Sequence, residues 1–278
     1  MRVGLVQMTS SDDPSENLVS AAAFIDEAAD GGARLVLTPE VTNCVSASRT
    51  RQNEVLSHER DDPTLAGLRA KARARGIWIL IGSLALKSED DDRFVNRSFL
   101  ITPDGEIAAR YDKMHMFDVT LSETETYRES DGYKPGDRAV VSHIDGIGFG
   151  LTICYDVRFP YLYRDLAQSG ARVLTVPSAF SPDTGPMHWG TLLRARAIET
   201  GSFVLAPAQT GTHRARRGRQ RRTWGHSLVI DPWGQVVVDA GGAPGVVLAN
   251  LDLDMVDVTR RRLPSLTHDR SYRSAGHE

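Results

Sequence analysis

The sequence predicts an α/β fold with mixed β-sheets. Short apolar runs alternate with helical stretches at the start of the chain, and the same alternation returns near its end. Between them, pairs of apolar runs flank turn residues, which is typical of antiparallel hairpins. Such an order favours one α/β domain with both parallel and antiparallel pairing. Because no repeat, low-complexity tract or linker divides the 278 residues, we expect one domain over residues 1–270 and a C-terminal tail at 271–278.

The N-terminal third alternates strand and helix. Each predicted strand is a short apolar run, and each predicted helix has a proline in its first turn and a glycine after its last. In order, the elements are a strand over residues 3–8, a helix from 14 towards 29, a strand over 34–38, a helix over 63–75 and a strand over 77–81.

The rest of the chain predicts hairpins and then further alternation. The hairpin turns contain Pro-Asp-Gly, Asp-Gly and Asp-Pro-Trp-Gly. The predicted hairpins are 94–101 with 106–111, 140–144 with 147–154, and 226–230 with 236–239. The remaining elements are helices over 160–168 and 187–200, strands over 173–176 and 203–206, and a last strand ending near residue 253.

The composition is that of an ordinary globular protein, with 41% hydrophobic and 25% charged residues. A net charge of −3 argues against a general nucleic-acid binder, and no apolar run approaches the ~18 residues of a membrane span. The chain starts with a strand-like run instead of a signal-peptide core, and its two cysteines cannot form a disulfide framework. We therefore expect a cytoplasmic protein that binds neither nucleic acid nor membrane.

Three other patterns do not indicate a function. The glycines at 146–150 are followed by a strand where a nucleotide-binding loop needs a helix. The basic segment, residues 214–222, lacks interleaved aromatics and predicts a solvated loop that at most attracts an anion over long range. The eight histidines show no HExxH spacing and there is no CxxC pair, so we expect no metal and no cofactor.

Three chemically useful side chains follow predicted strands: Glu40, Lys113 and Cys154. In α/β sheets, catalytic groups gather at the carboxyl ends of strands. Taken singly, a loop charge is usually solvated and a free cysteine is usually a small buried hydrophobe. We assign Cys44 to that second class, or to a loop near the site. Glu40, Lys113 and Cys154 indicate a catalytic site only when they are considered together.

The blocks around these three residues resemble, in their order, the signature blocks of the nitrilase superfamily. They read Thr-Pro-Glu at 38–40, Asp-Lys-Met-His at 112–115 and Cys-Tyr-Asp-Val-Arg-Phe-Pro at 154–160. Further similar blocks lie at 178–189, 194–199 and 224–234, and the resemblance extends to about residue 269. Thr38 and Met187 depart from the residues common there, but no triad position is lost.

The resemblance implies a four-layer αββα sandwich and at least a homodimer formed by stacking sandwiches face to face. It also implies a catalytic triad of Glu40, Lys113 and Cys154. Glu129 matches a second glutamate near the lysine, which would orient Lys113 and the substrate. A solvated surface acid is the alternative interpretation of Glu129.

An amide carbonyl is a poor electrophile, so its cleavage needs a sulfur nucleophile, a proton carrier and a stabiliser of the oxyanion. In the implied mechanism, Cys154 attacks, and Glu40 carries the proton to the leaving amine and later activates water. Lys113 favours the thiolate and binds the oxyanion together with the backbone N–H of Tyr155.

Four more residues are candidates for the pocket. Arg158 could clamp a substrate carboxylate through two hydrogen bonds or could pair with Asp156, and both interpretations stay open. Phe180, Thr184 and His188 lie in the block that lines the pocket of relatives. For His188, a hydrogen-bonded core histidine is the alternative.

Within the superfamily, the sequence looks closest to the nitrilase-like amidases that act on deaminated glutathione. The omega-amidases, which hydrolyse 2-oxoglutaramate and 2-oxosuccinamate, are the first alternative, and N-carbamoyl amino-acid hydrolases are the second. Arg158, His213 and the basic segment would suit a small anionic amide with carboxylates at both ends. The alternative of another class is a non-catalytic binding protein built on the same fold.

Overall fold

The computed structural model describes residues 1–120 and 126–273, so residues 274–278 of the expected C-terminal tail lie outside the described residues. In chain order the strands are β1 Arg2–Gln7, β2 Leu35–Leu37, β3 Trp78–Lys87, β4 Phe94–Ile101, β5 Ile107–Asp112, β6 Asp118–Thr120, β7 Thr126–Arg128, β8 Val140–Ile144, β9 Ile147–Leu151, β10 Ala171–Thr175, β11 Phe203–Ala206, β12 Thr210–Thr212, β13 Arg222–Trp224, β14 Leu228–Ile230, β15 Val236–Asp239 and β16 Gly245–Asn250. The helices are α1 Pro14–Asp30, α2 Arg49–Val55, α3 Pro63–Arg75, α4 Pro160–Gln168, α5 Gly190–Thr200 and α6 Asp254–Arg262.

The strands form two six-stranded mixed sheets with matching plans. The first has the order β16-β1-β2-β3-β4-β5, and the second has the order β15-β14-β11-β10-β9-β8. The parallel strands are β1, β2 and β3 in the first sheet and β9, β10 and β11 in the second. Two antiparallel ribbons, β6–β7 and β12–β13, lie outside the sheets.

Alternating side chains of the strands divide the core into layers. In β1, Val3 and Leu5 belong to the apolar cluster that also contains β9, β10 and β11, whereas Val6 belongs to the cluster formed with α1 and α3. The other face of the second sheet packs against α4 and α5. Because successive strand residues point to opposite faces, this is a four-layer αββα arrangement. The predicted fold class is confirmed.

The predicted helix ends follow local chemistry. Asp13 caps α1 by accepting a hydrogen bond from the Ser15 N–H, and Asp62 caps α3 by accepting one from Leu65 N–H at 2.7 Å. Gly76 ends α3 in the left-handed conformation, with φ of 62°. No helix within the described residues is long and apolar enough to cross a membrane.

Two helices and three element boundaries differ from the sequence prediction as follows. Helices α2 and α6 were missed; in α2 Gln52 is the buried residue, so no apolar stripe marks that helix. Strand β3 continues past Gly82, where a Cβ would lie 2.0 Å from the Thr38 carbonyl oxygen, so the glycine marks a close approach and does not end the strand. The helix predicted over 187–200 starts as a π-helical turn before α5, and β9 ends at Leu151, short of Cys154.

Candidate active site

Glu40 lies just beyond β2 and is held from three directions. Its side chain is buried, and its Oε1 accepts hydrogen bonds from Asn96 Nδ2 at 2.9 Å and from Lys113 Nζ at 3.0 Å. Its Oε2 accepts the Ala179 N–H at 2.8 Å. Asn96 is on β4 of the first sheet and Ala179 follows β10 of the second. The carboxylate is therefore fixed where the two sheets meet.

Lys113 lies directly after β5 and bridges two carboxylates. It is 2% exposed, and its Nζ contacts both carboxylate oxygens of Glu129 at 2.9 Å in addition to Glu40. Glu129 Oε2 also accepts the Phe117 N–H at 2.6 Å. This position is incompatible with Glu129 being a solvated surface acid, and it fits the interpretation that Glu129 orients Lys113.

Cys154 starts a sharp turn after β9. It has a φ of 48°, which is uncommon for a residue with a side chain, and the 3₁₀ turn Cys154–Arg158 follows. Its N–H donates to the Pro177 carbonyl at 3.0 Å. Such strained positions are kept where the surrounding structure determines them, and they cluster at active sites.

Asp156 is the residue that secures this turn, and its carboxylate is completely buried. Its Oδ2 accepts from the Ile153 N–H at 2.8 Å and from the Tyr111 hydroxyl at 2.7 Å. Its Oδ1 accepts from the backbone N–H and ring Nδ1 of His115, at 3.1 and 2.7 Å. Asp156 thus ties the turn to the segment beyond β5 that carries Lys113.

The charges of the site set the resting position of the proton. Burial alone would raise the pKa of Glu40, but the Lys113 ammonium and hydrogen bonds from Cys154 and Ala179 outweigh it and hold that pKa below the ordinary value. Burial and the neighbouring Glu40 carboxylate raise the pKa of Cys154, and the opposing charge of Lys113 does not compensate. Burial opposes the charge of Lys113, yet Glu129 and Glu40 raise its pKa well above normal. At neutral pH, Glu40 is therefore ionised and Cys154 is a neutral thiol.

These residues lie in a cavity of about 590 Å³. We call its buried acid–base end the floor and its arginine-lined end the mouth. The floor consists of Glu40, Asn96, Lys113, Glu129 and Cys154; the mouth consists of Arg49, Arg128, Arg219, Arg221 and Arg222. All the mouth arginines except the half-buried Arg221 are exposed.

The structure divides the predicted pocket residues into two groups. Tyr155, Phe180 and Thr184 line the cavity, as expected. Arg158 and His188 are not among its lining residues; they contact each other, with Arg158 Nη2 3.2 Å from His188 Nδ1. His188 is exposed, so its interpretation as a core histidine is wrong. Arg158 does not pair with Asp156, because the carboxylate is occupied as described above; its guanidinium instead lies over the rings of Tyr155 and Phe180.

His213 is a core histidine and does not face the substrate. It is 1% exposed, with Nδ1 2.8 Å from the Ser10 carbonyl oxygen and Nε2 2.7 Å from Thr223 Oγ1. Burial lowers its pKa to about 4, so it is neutral at physiological pH. Its predicted part in binding an anionic substrate is therefore wrong.

The basic segment is also more than a solvated loop. Its first half pairs with acids of α1 and α2: Arg214 with Glu16, and Arg217 with Glu54. Its second half supplies Arg219, Arg221 and Arg222 to the mouth. The sequence alone does not predict this division, because it depends on loops folding over distant helices.

Three positions of the candidate site are not predicted from the sequence: Asn96, Arg49 and Asp156 as the anchor of the turn. Asn96 is 2% exposed, and its Oδ1 has no hydrogen-bond partner among the described residues. A polar asparagine inside the apolar run of β4 was the signal that could have identified it. Arg49 lies in a polar stretch with no such signal.

The sequence model of one protein family, described as "Carbon-nitrogen hydrolase", matches residues 2–261 of the chain. The chain belongs to the carbon–nitrogen hydrolase family. Among curated relatives, the deaminated glutathione amidase of Synechocystis sp. (strain PCC 6803) is 41% identical over 266 residues, covering 95% of this chain and 96% of that protein.

Two solved structures support the same family assignment. The NitFhit protein of C. elegans superposes with a TM-score of 0.89 at 35% identity over 97% of this chain, which spans 65% of that chain. Nit3 of Saccharomyces cerevisiae, described as a member of branch 10 of the nitrilase superfamily, gives a TM-score of 0.85 at 29% identity over 98% of this chain and 97% of that one. The chain is thus a hydrolytic enzyme of the nitrilase superfamily.

Proposed function

We propose that the chain hydrolyses an amide C–N bond through a thioester on Cys154, with Glu40 and Lys113 completing a catalytic triad. The observation that carries this proposal is the buried contact of the Lys113 ammonium with Glu40 and Glu129 beside a strained cysteine. Glu40 and Lys113 are buried and Glu129 is half-buried, and burying ionised groups costs free energy even when they are paired. A non-catalytic binding protein would gain nothing from that arrangement, and turnover of a small amide panel distinguishes the two.

In the first half-reaction, Glu40 removes the thiol proton as the sulfur of Cys154 forms a bond to the amide carbon. The carbonyl oxygen becomes an oxyanion, which Lys113 and the Tyr155 N–H stabilise. Collapse of this intermediate breaks the C–N bond, and the departing amine takes the proton from Glu40. The acyl group then remains on the sulfur as a thioester.

In the second half-reaction, Glu40 takes a proton from water as the water oxygen attacks the thioester. The second tetrahedral intermediate expels the sulfur, which recovers its proton from Glu40, and a carboxylic acid leaves. One carboxylate thus serves as base and acid in turn, which its ionised resting state and its contact with Cys154 permit. No cofactor takes part in these steps.

Deaminated glutathione is the substrate that we propose. Its 2-oxoglutaramyl head carries one carboxylate and its Cys-Gly arm another, so it is a small dianion. The arginines of the mouth suit such a charge, and relatives at 37–41% identity carry the name of this activity. Omega-amidase activity is the first alternative, because 2-oxoglutaramate has the same head with a bare amide. N-carbamoyl amino-acid hydrolysis is the second.

The two leading substrates are separated by kcat/KM at matched pH and salt. Binding of a remote arm can lower the barrier at the reacting carbon, so we expect a preference of about tenfold or more for deaminated glutathione over 2-oxoglutaramate, about 1.4 kcal/mol. Equal or reversed values would favour the omega-amidase alternative. Inactivity on both would favour the carbamoyl one.

We also propose a homodimer and a cytoplasmic location. Large exposed apolar side chains on or beside the α4–α5 layer, Tyr161, Met187 and Ile198, support a twofold contact between sandwiches through that layer. Both cysteines are free, which suits a reducing compartment. Sedimentation equilibrium should give twice the chain mass. Ile198→Glu should shift the measured mass towards that of the monomer. A monomeric unsubstituted chain would contradict the proposed dimer.

A further inference from the structure

We propose that Arg49 and Arg221 bind the terminal carboxylate of the substrate's leaving dipeptide arm. This inference rests on the proposed function and names the residues that would distinguish a peptide-tailed amide from a bare one. It assigns recognition to the mouth of the cavity, separate from the residues of the floor.

Arg49 is held in place by its surroundings although it is exposed. Its guanidinium carbon lies 5.1 Å from the ring centroid of Phe94 and 5.5 Å from that of Tyr133, and Nη1 donates to the Gly132 carbonyl at 3.0 Å. Stacking on aromatic faces leaves the edge of a guanidinium available for hydrogen bonding. Arg49 is therefore an oriented cation.

The Arg49 guanidinium packs directly against Gly132. A Cβ built there would lie 1.2 Å from Nη2 of Arg49, and the nearest three atoms all belong to the same guanidinium. The backbone of Gly132 has φ of −132° and ψ of −11°, which alanine can also adopt. A glycine is thus needed at position 132 because the Arg49 guanidinium occupies the space of a side chain, and not because of the backbone conformation.

Arg221 approaches the same part of the cavity from the β12–β13 hairpin. It lines the cavity together with Arg49, Cys44 and Tyr133. Burial raises the pKa of both Cys44 and Tyr133, and the nearby charge of Arg221 opposes that rise. The basic segment touches the start of α2, because a Cβ on Gly218 would lie 3.0 Å from Cβ of Ser48. Arg49 and Arg221 therefore line one cavity, and a contact between the loop and the helix start holds their two segments side by side.

Neither arginine has a carboxylate partner within residues 1–120 and 126–273. The contrast with the first half of the basic segment is direct, since Arg214, Arg216 and Arg217 all pair with acids. Two cations that face one cavity without counter-ions attract an anionic ligand, and paired guanidiniums match the two oxygens of a carboxylate. The chain thus provides a carboxylate site that its own acids leave open.

The leaving arm is the part of the substrate that suits this position. The acyl group stays bonded to Cys154 at the floor after the first half-reaction, whereas the amine must leave through the open end. An arm that points to the mouth can leave without passing the thioester. Its terminal carboxylate then lies among the arginines of the mouth.

The test compares deaminated glutathione with the same molecule amidated at its terminal carboxylate. For the unsubstituted protein we expect kcat/KM to be about tenfold or more higher for the free acid, since charge-assisted hydrogen bonds are the strong ones. Arg49→Gln, Arg221→Gln and Gly132→Ala should each reduce this preference towards one. Arg49→Lys keeps the positive charge but loses the planar guanidinium that can donate two hydrogen bonds to a carboxylate. This variant should therefore retain part of the preference for the free acid.

Arg217→Gln is the matched control, because it removes a charge from the same basic segment at a residue paired with Glu54 and outside the cavity lining. It should keep the full preference. If the three variants lower kcat/KM equally for both substrates, or if Arg217→Gln changes the preference as they do, the carboxylate site is refuted. If the unsubstituted protein hydrolyses neither substrate, the proposed function fails instead.

Discussion

The floor and the mouth of the cavity use charge in opposite ways. At the floor, Lys113 is buried between Glu40 and Glu129, so one ammonium is paired with two carboxylates. At the mouth, Arg49 and Arg221 pair with no carboxylate of the described chain. The floor resembles a structural ion-pair network, but a strained thiol lies against it. The mouth resembles a surface, but its cations converge on one cavity.

The difference separates chemistry from recognition. Paired buried charges hold their geometry and shift the pKa values of their neighbours, which is what proton transfer requires. Unpaired exposed charges attract a ligand and determine which one is retained. Substitutions at the floor should therefore lower the rate for every substrate, whereas substitutions at the mouth should change the preference among substrates.

The largest effect is expected for Cys154→Ala, which removes the nucleophile. Turnover of any amide substrate should fall by at least about 10⁴-fold, with the fold intact, because one sulfur atom is lost from a well-packed turn. Steady-state kinetics with circular dichroism checks this. Cys44→Ala is the matched thiol control and should keep most activity, since burial raises the pKa of Cys44 to about 12 and leaves it unreactive.

The next largest effect concerns the charge pairing at the floor. Glu40→Gln should lower kcat about 10²–10⁴-fold by removing the proton carrier, and Lys113→Ala about 10²–10³-fold by removing an oxyanion donor. The double variant should be little worse than either single one, because the groups act as a unit. Losses that multiply in this cycle would show that the two residues act independently.

Lys113→Ala also leaves the buried carboxylate of Glu40 and the half-buried carboxylate of Glu129 without their counter-ion. It should therefore destabilise the fold by about 3–5 kcal/mol. Adding Glu129→Gln should recover part of the free energy of unfolding without recovering activity, measured by urea unfolding beside kinetics. Recovery of both would mean that Lys113 has a structural role alone.

A smaller effect is expected at the turn that presents the thiol. Asp156→Ala should lower the free energy of unfolding by about 3 kcal/mol, because it leaves the Tyr111 hydroxyl and the Ile153 N–H without their buried acceptor. Asp156→Asn keeps one acceptor oxygen and should cost less. Equal stability of Asp156→Ala and the unsubstituted chain would contradict the anchoring role.

The smallest effect is the pH dependence of the unsubstituted protein. A carboxyl group with a lowered pKa is ionised above that pKa, so Glu40 can act as a base at every pH above its ordinary value of 4.5. We expect kcat/KM to be flat between about pH 6 and 8. Residual activity of Glu40→Gln should instead rise with pH, since the thiol, whose pKa is raised, must then ionise by itself. A flat profile for both would contradict proton transfer to Glu40.

The sequence predicts the positions of side chains correctly where they follow regular structure. Glu40, Lys113 and Cys154 each come after a strand, and the ends of paired strands meet in space. The sequence does not predict the position of a side chain that depends on loops. Arg49 is an example, because it reaches the cavity from α2, a seven-residue helix without an apolar stripe. Asp156 was wrongly offered as a partner of Arg158 because neighbours in sequence are easily paired, while Tyr111 and His115 are more than 40 residues away.

The most direct test of the central claim is to identify the acyl-enzyme. The protein is mixed with deaminated glutathione, quenched with acid within the first turnovers, digested and examined by peptide mass spectrometry. The proposed mechanism predicts a 2-oxoglutaryl thioester on the peptide that contains Cys154, none on the peptide that contains Cys44, and none in Cys154→Ala. An acyl group at another residue, or full turnover of Cys154→Ala without any adduct, would contradict it.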